Sequence, residues 1–115
     1  MFVRNCWYVI AWDHEVPADG LFSRTVLNEA ILLFRTAAGE IVALRDRCCH
    51  RLAPLSKGRK EGDCVRCGYH GLLFDATGRC IEIPGADSVP EKARVQRYPV
   101  ALKNKWVFVW MGEPA

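Results

Sequence analysis

Two short segments of the chain each pair a cysteine with a histidine. They are Cys48–His50 and Cys67–His70, they are separated by residues 51–66, and they use two of the three histidines in the chain. Thiolate and imidazole are common ligands of transition metals, so a repeated pair of them suggests a metal centre held by two loops. The candidate ligands are Cys48, His50, Cys67 and His70.

The arrangement of these ligands bears on the metal. A zinc finger usually takes two cysteines from one element and two histidines from another, whereas here each segment mixes the two types. In a two-iron cluster with two thiolates on one iron and two imidazoles on the other, each of two loops can supply one ligand to each iron. The spacing therefore favours a 2Fe–2S cluster. A structural zinc site and purely structural cysteines and histidines are the alternatives.

The residues around the ligands resemble a known family. The similar segments are Cys48–Arg51, Ala53–Ser56, Cys67–Leu72 and Phe74–Asp75. They resemble the Rieske domain of ring-hydroxylating and O-demethylating non-haem iron oxygenases. The flanking segments Arg4–Val9 and Trp110–Ala115 resemble the branch that contains vanillate O-demethylase and dicamba monooxygenase.

This resemblance implies the all-β Rieske iron–sulfur fold, with antiparallel sheets and the cluster at the tip of two loops. It also implies electron transfer: an NAD(P)H-dependent reductase or ferredoxin reduces the cluster, which then reduces a mononuclear non-haem iron that oxygenates an aromatic substrate. In the family that iron is held by two histidines and a carboxylate in a C-terminal catalytic domain, and it lies in the same or a neighbouring subunit.

Only His14 lies outside the two ligand segments, so the chain cannot itself supply a site with two further histidines. We therefore expect residues 1–115 to form one Rieske domain, the N-terminal part of an oxygenase component, whose own activity is electron transfer alone. The alternatives are a free-standing Rieske ferredoxin and, less favoured, a structural zinc module that binds other proteins.

Some residues depart from related patterns. Cys49 stands where the family usually has proline. High-potential respiratory Rieske proteins carry a disulfide at the positions of Ala53 and Tyr69 and hydroxyl donors at those of Leu72 and Phe74. Hydrogen bonds to the cluster favour its reduced, more negative state, so their absence predicts a low reduction potential.

The elements that must position the ligands are predicted to be short strands. Three hairpins have turns that contain glycine or a polar Lys-Asn-Lys sequence: Ala30–Arg35 with Glu40–Leu44, Leu72–Phe74 with Arg79–Ile83, and Tyr98–Leu102 with Trp106–Trp110. Leu21–Leu27 is expected to add a strand, and the segments 46–60 and 65–71 are expected to be loops. We expect Cys6, Cys64, Cys80 and the four tryptophans to be mostly core residues and His14 to be solvated.

Composition is consistent with one small domain. Leu, Ile, Val and Phe make up 31 of 115 residues, enough for a packed core. The apolar run Cys6–Trp12 is far shorter than the roughly 18 residues of a membrane span, and no cleavage site of a signal peptide follows it. Six cysteines are too few for a disulfide scaffold. We therefore expect a cytoplasmic protein that does not bind membranes.

Charge is unevenly distributed along the chain. The net charge of +3 is too small to argue for nucleic acid as a partner. The segment Arg45–Arg66, however, contains seven basic residues and only three acidic ones. Because this segment surrounds both ligand pairs, we expect it to attract an acidic reductase or ferredoxin, with Arg51, Arg59 and Lys60 contributing.

Overall fold

The computed structural model describes residues 5–49 and 53–112, which form eleven β-strands and two 3-10 turns. The strands are β1 Cys6–Trp12, β2 Phe22–Val26, β3 Glu29–Arg35, β4 Ile41–Arg45, β5 Arg59–Glu61, β6 Cys64–Arg66, β7 Leu73–Phe74, β8 Cys80–Glu82, β9 Arg97–Tyr98, β10 Val100–Lys103 and β11 Trp106–Met111. The 3-10 turns are Asp13–Glu15 and Leu55–Lys57. No helix among these residues is long and apolar enough to cross a membrane.

The strands form three antiparallel sheets. The terminal sheet has the order β1-β11-β10, the central sheet β2-β3-β4-β9 and the loop sheet β5-β6-β7-β8. The all-β, antiparallel architecture expected from the sequence is confirmed. Both cysteines proposed as ligands lie in loops that connect to the loop sheet, after β4 and after β6.

The central sheet contributes to two cores because successive side chains of a strand point to opposite faces. On β3, Ile31 and Leu33 join the core shared with the terminal sheet, whereas Leu32 and Phe34 join the core shared with the loop sheet. All four side chains are fully buried. This accounts for the uninterrupted apolar run in β3, since a strand buried on both faces cannot alternate between polar and apolar residues.

The predicted hairpins agree with the structure in their main features. β3–β4, β7–β8 and β10–β11 are all antiparallel pairs, and β2 occupies the predicted fourth strand. The expected strand 98–102 is divided, however, because Pro99 separates β9, which pairs with β4, from β10, which pairs with β11.

A fourth hairpin, β5–β6, lies partly in segments that we expected to be loops. Glu61 pairs with Cys64 across a two-residue turn in which Gly62 has a φ of +62°. Glycine adopts this conformation without a steric penalty, so the turn forms although its strands are charged and only three residues long.

The expectation that the tryptophans are core residues is wrong, because none of the four belongs to either core. Trp7 and Trp12 are 45% and 38% exposed on the outer face of the terminal sheet, and Trp106 and Trp110 are half-buried there. Trp12 stacks on Trp106 with ring centroids 3.3 Å apart, and Trp7 meets Trp110 edge to face at 5.6 Å. Within each cross-strand pair the two rings cover part of each other, which limits the apolar area that this exposed face presents to water.

The burial of the central sheet predicts that two leucine substitutions lower the free energy of unfolding by very different amounts. Leu32 is fully buried, so Leu32→Ala should lower the free energy of unfolding by about 2–5 kcal/mol through lost contacts and a residual cavity. Leu102→Ala, at a position that is 56% exposed, is the control and should cost far less. Thermal unfolding followed by circular dichroism compares the two. Equal shifts in the midpoint would contradict the double-core arrangement.

Candidate metal-cluster site

The two loops that carry the candidate ligands are closed by the same type of hydrogen bond. The Cys48 amide donates to the Ala53 carbonyl at 2.7 Å, and the Cys67 amide donates to the Leu72 carbonyl at 2.8 Å. Each bond spans five residues, so each cysteine stands at the base of a loop of equal length. His70 lies in the second loop, whereas His50 lies outside the described residues.

The two thiols are inside the protein. Cys48 is 1% exposed and Cys67 is 2% exposed, and both belong to the core shared by the central and loop sheets. Leu55, Leu72 and Phe74 belong to the same core. Two thiols from separate loops are therefore brought into one apolar environment, where thiolates need a metal to compensate their charge.

His70 has the opposite environment. Its side chain is exposed, and its ring meets that of exposed Tyr69 edge to face with centroids 4.3 Å apart. The site thus has a buried thiol side and a solvent-facing imidazole side. This donor set fits a cluster with thiolates on an inner iron and imidazoles on an outer one.

The two ligand loops are in direct backbone contact at two glycines. A Cβ atom on Gly58 would collide with the Arg66 carbonyl oxygen and lie 2.9 Å from the Gly68 amide nitrogen. A Cβ on Gly68 would lie 3.0 Å from the Lys57 carbonyl oxygen. The 3-10 turn Leu55–Lys57 can therefore rest directly on the backbone of the Cys67 loop only because no side chain intervenes.

The Arg66 side chain holds the second ligand loop in place through hydrogen bonds. Its guanidinium donates to the Gly71 carbonyl oxygen at 2.8 Å, to Glu61 at 2.9 Å and to Glu82 at 2.8 Å. Hydrogen bonds from Arg66, and then from Arg59, lower the pKa of the Glu61 carboxyl to about 2. The hydrogen bond to Glu61 and, with a smaller effect, the hydrogen bond to Glu82 raise the pKa of Arg66. Arg66 is thus a charged anchor for the turn at Gly71, whose φ is +76°.

Asp46 holds the first loop in place, a role that its acidic charge within a basic segment of the sequence did not predict. It is 6% exposed and accepts hydrogen bonds from the Ser56 amide at 2.7 Å, the Ser56 hydroxyl at 2.6 Å and the Ser23 hydroxyl at 2.6 Å. The Asp46 carboxylate thereby links Ser56, which follows the first loop, to Ser23 on β2. In the sequence, the position of Asp46 two residues before Cys48 is the feature that indicates a role near the site.

The remaining cysteines differ in their surroundings. Cys80 is buried in the core as expected, whereas Cys6 and Cys64 are half-buried rather than buried. Cys49 is exposed. Partial burial of its thiol, with a smaller contribution from Cys80, raises the pKa of Cys49. A raised pKa leaves less of the nucleophilic thiolate at neutral pH.

Within residues 5–49 and 53–112, no three or more His, Cys, Asp or Glu side chains are grouped to hold one metal ion. A two-iron cluster makes a different demand, because each iron takes two protein ligands and its remaining ligands are sulfides. Cys48 and Cys67 meet the demand for two thiols in one place. The assignment of all four ligands stays a prediction.

Known proteins resemble the chain along nearly its whole length. The family described as Rieske [2Fe-2S] domain matches residues 6–99. The toluene-4-sulfonate monooxygenase system iron–sulfur subunit of Comamonas testosteroni is 60% identical over 115 residues, which are 100% of this chain and 33% of that protein. The oxygenase component of dicamba O-demethylase from Stenotrophomonas maltophilia is 40% identical over 99% of this chain and 34% of that protein.

Solved structures show the same likeness. A crystal structure of dicamba monooxygenase with non-haem iron and dicamba superposes with a TM-score of 0.91 and 38% identity, over 98% of this chain and 35% of that one. The chain spans about a third of the length of the curated relatives it matches.

The glycine contact between the loops predicts that one methyl group disrupts the site. Gly58→Ala should displace the first loop from the second, with loss of most of the visible absorbance of a bound cluster and a lower thermal midpoint. Gly85→Ala is a stringent control: its φ is +85°, so alanine is strained there, but the added Cβ meets nothing within 4 Å. Visible absorbance per chain measures the outcome. Equal retention in both variants would show that the close approach is dispensable.

Proposed function

Because the chain belongs to the Rieske [2Fe-2S] domain family, we propose that it is the electron-transfer domain of an oxygenase component. It accepts one electron from an NAD(P)H-dependent reductase or a ferredoxin. It delivers that electron to a mononuclear non-haem iron in a catalytic domain of the same or a neighbouring subunit, where an aromatic substrate is hydroxylated or O-demethylated. The iron–sulfur subunit and oxygenase component similar to this chain support this assignment.

The ligands in this proposal are Cys48, His50, Cys67 and His70. The observation that carries it is the pair of thiols, buried in one core at the bases of two equally closed loops. When bound, the cluster supplies a one-electron redox centre of the Rieske type. The apolar core excludes water from the thiol side, and exposed His70 gives a partner protein access to the other side.

The same fold would serve a free-standing Rieske ferredoxin, but no feature of the described residues favours that role over the oxygenase one. The cytoplasmic localisation and the extent of the domain over residues 1–115 stay predictions. A structural zinc site differs from a 2Fe–2S cluster in metal and sulfide content, so chemical analysis distinguishes the two.

The ligand assignment predicts about two irons and two acid-labile sulfides per chain. Cys67→Ser should abolish the visible absorbance and destabilise the fold, because metal binding and folding are coupled in small metal domains. Cys64→Ser changes a half-buried cysteine on β6 and should retain the cluster. Metal and sulfide analysis of protein purified without oxygen measures this. Stoichiometric zinc without sulfide would contradict the proposal.

The absence of hydroxyl donors at Leu72 and Phe74 predicts a low midpoint potential for the cluster. Leu72 and Phe74 are buried in the core that contains both thiols and donate no hydrogen bonds from their side chains. The midpoint potential should therefore lie toward the low end of the Rieske range of roughly −150 to +300 mV. Leu72→Ser should raise it, whereas Leu73→Ser, at the neighbouring half-buried position, should not. Protein-film voltammetry at neutral pH decides, and a midpoint near the top of the range would instead indicate a respiratory-type carrier.

A further inference from the structure

Each ligand loop borders a surface depression of about 290 Å³ that is lined by three basic residues. Beside the Cys67 loop the cations are Lys57, Arg59 and Arg66. Beside the Cys48 loop, where Cys48 and Cys49 line the depression, the cations are Arg45, Arg47 and Arg94. The second depression is here called the arginine pocket. Arg94 comes from a segment well beyond the basic stretch 45–66, so the sequence alone did not connect it with the site.

The two depressions differ in how much of their charge is already neutralised. In the first, Arg59 pairs with Glu61 at 2.7 Å, and Arg66 pairs with Glu61 and Glu82. In the arginine pocket, Arg45 lies 3.6 Å from Glu29, but Arg47 and Arg94 form no ion pair with any described residue. Uncompensated guanidinium charge is therefore concentrated on the Cys48 side.

The backbone beneath Arg94 is held firmly. The Val95 amide donates to the Gly78 carbonyl at 2.7 Å, and the Cys80 amide donates to the Ala93 carbonyl at 2.8 Å. On the other side, the Arg45 amide donates to the Gln96 carbonyl at 2.8 Å. Residues 93–96 thus join the loop sheet to the end of β4. These hydrogen bonds fix the backbone that carries Arg94 relative to the end of β4, which leads to Arg47. A preformed backbone reduces the entropic cost of binding.

We infer that the arginine pocket is the docking site for an acidic electron-donor protein, with a partner carboxylate bound between Arg47 and Arg94. A planar guanidinium binds carboxylate through two parallel hydrogen bonds, so two uncompensated arginines give orientation as well as attraction. Lys57, the unpaired cation of the other depression, supplies only a point charge. The inference rests on the proposed electron-transfer function and names the partner chemistry and the residues that bind it.

The test uses the intact protein with its cluster, reduced by a plant-type 2Fe–2S ferredoxin as an acidic donor and, in parallel, by dithionite as a small donor. Arg47→Glu with Arg94→Glu should lower the second-order rate constant for reduction by the ferredoxin about tenfold or more and weaken its dependence on salt. Reduction by dithionite and the visible spectrum should change little. Stopped-flow absorbance measures both rates.

Two control variants locate the effect. Lys103→Glu with Lys105→Glu makes the same change in net charge at the end of the β10–β11 hairpin and should leave the ferredoxin rate near that of the parent protein. Arg59→Glu, at an arginine that already pairs with Glu61, should have a smaller effect than the reversal of Arg47 or Arg94 alone. The neutral pair Arg47→Gln and Arg94→Gln should shift the rate in the same direction but by less.

A ferredoxin rate and salt dependence unchanged by the paired reversal would overturn the arginine pocket as the docking site, as would an equal loss in the Lys103 and Lys105 control. Failure of the electron-transfer role on which the inference rests has a different signature, since the parent protein would then hold no reducible cluster and dithionite would leave its spectrum unchanged. The two failures are therefore distinguishable in one set of experiments.

Discussion

The direct backbone contact between Gly58 and the Cys67 loop determines how the rest of the site is arranged. A Cβ at Gly58 would collide with the Arg66 carbonyl oxygen, so its absence lets the two loops, which the β5–β6 hairpin joins, meet backbone to backbone. With the loops in contact, both thiols enter the same core. Asp46 and Arg66 each hold one loop from outside the contact, through Ser56 and the Gly71 carbonyl.

A second consequence is the polarity of the site. The central sheet shares one core with the loop sheet, and that core surrounds the thiols with apolar side chains such as Leu72 and Phe74. The imidazole of His70 instead lies at the surface. In the proposed function, a redox centre at this site exchanges electrons on the side of His70 and is insulated by the core on the thiol side. The docking inferred at Arg47 and Arg94 brings an acidic partner to the depression beside the Cys48 loop.

Features encoded by local chemistry were predictable from the sequence. The β3–β4 and β7–β8 hairpins follow from apolar runs joined by turns with Gly39 and Gly78, and the ligand spacing itself indicates two matched loops. Features that depend on distant partners were not predictable. The buried role of Asp46 requires Ser56 and Ser23, and the exposed position of Trp12 depends on the pairing of β1 with β11, which stacks it on Trp106.

In the proposed function, two thiolates and two imidazoles from these loops hold one cluster. This ligand set can be tested by pulsed electron paramagnetic resonance of the dithionite-reduced protein, grown with ¹⁵N-histidine. We expect hyperfine couplings from two histidine nitrogens, with the coupling assigned to His70 absent in a His70→Cys variant that retains a cluster. A reduced cluster without histidine nitrogen coupling would contradict the ligand set and, with it, the Rieske-type site described above.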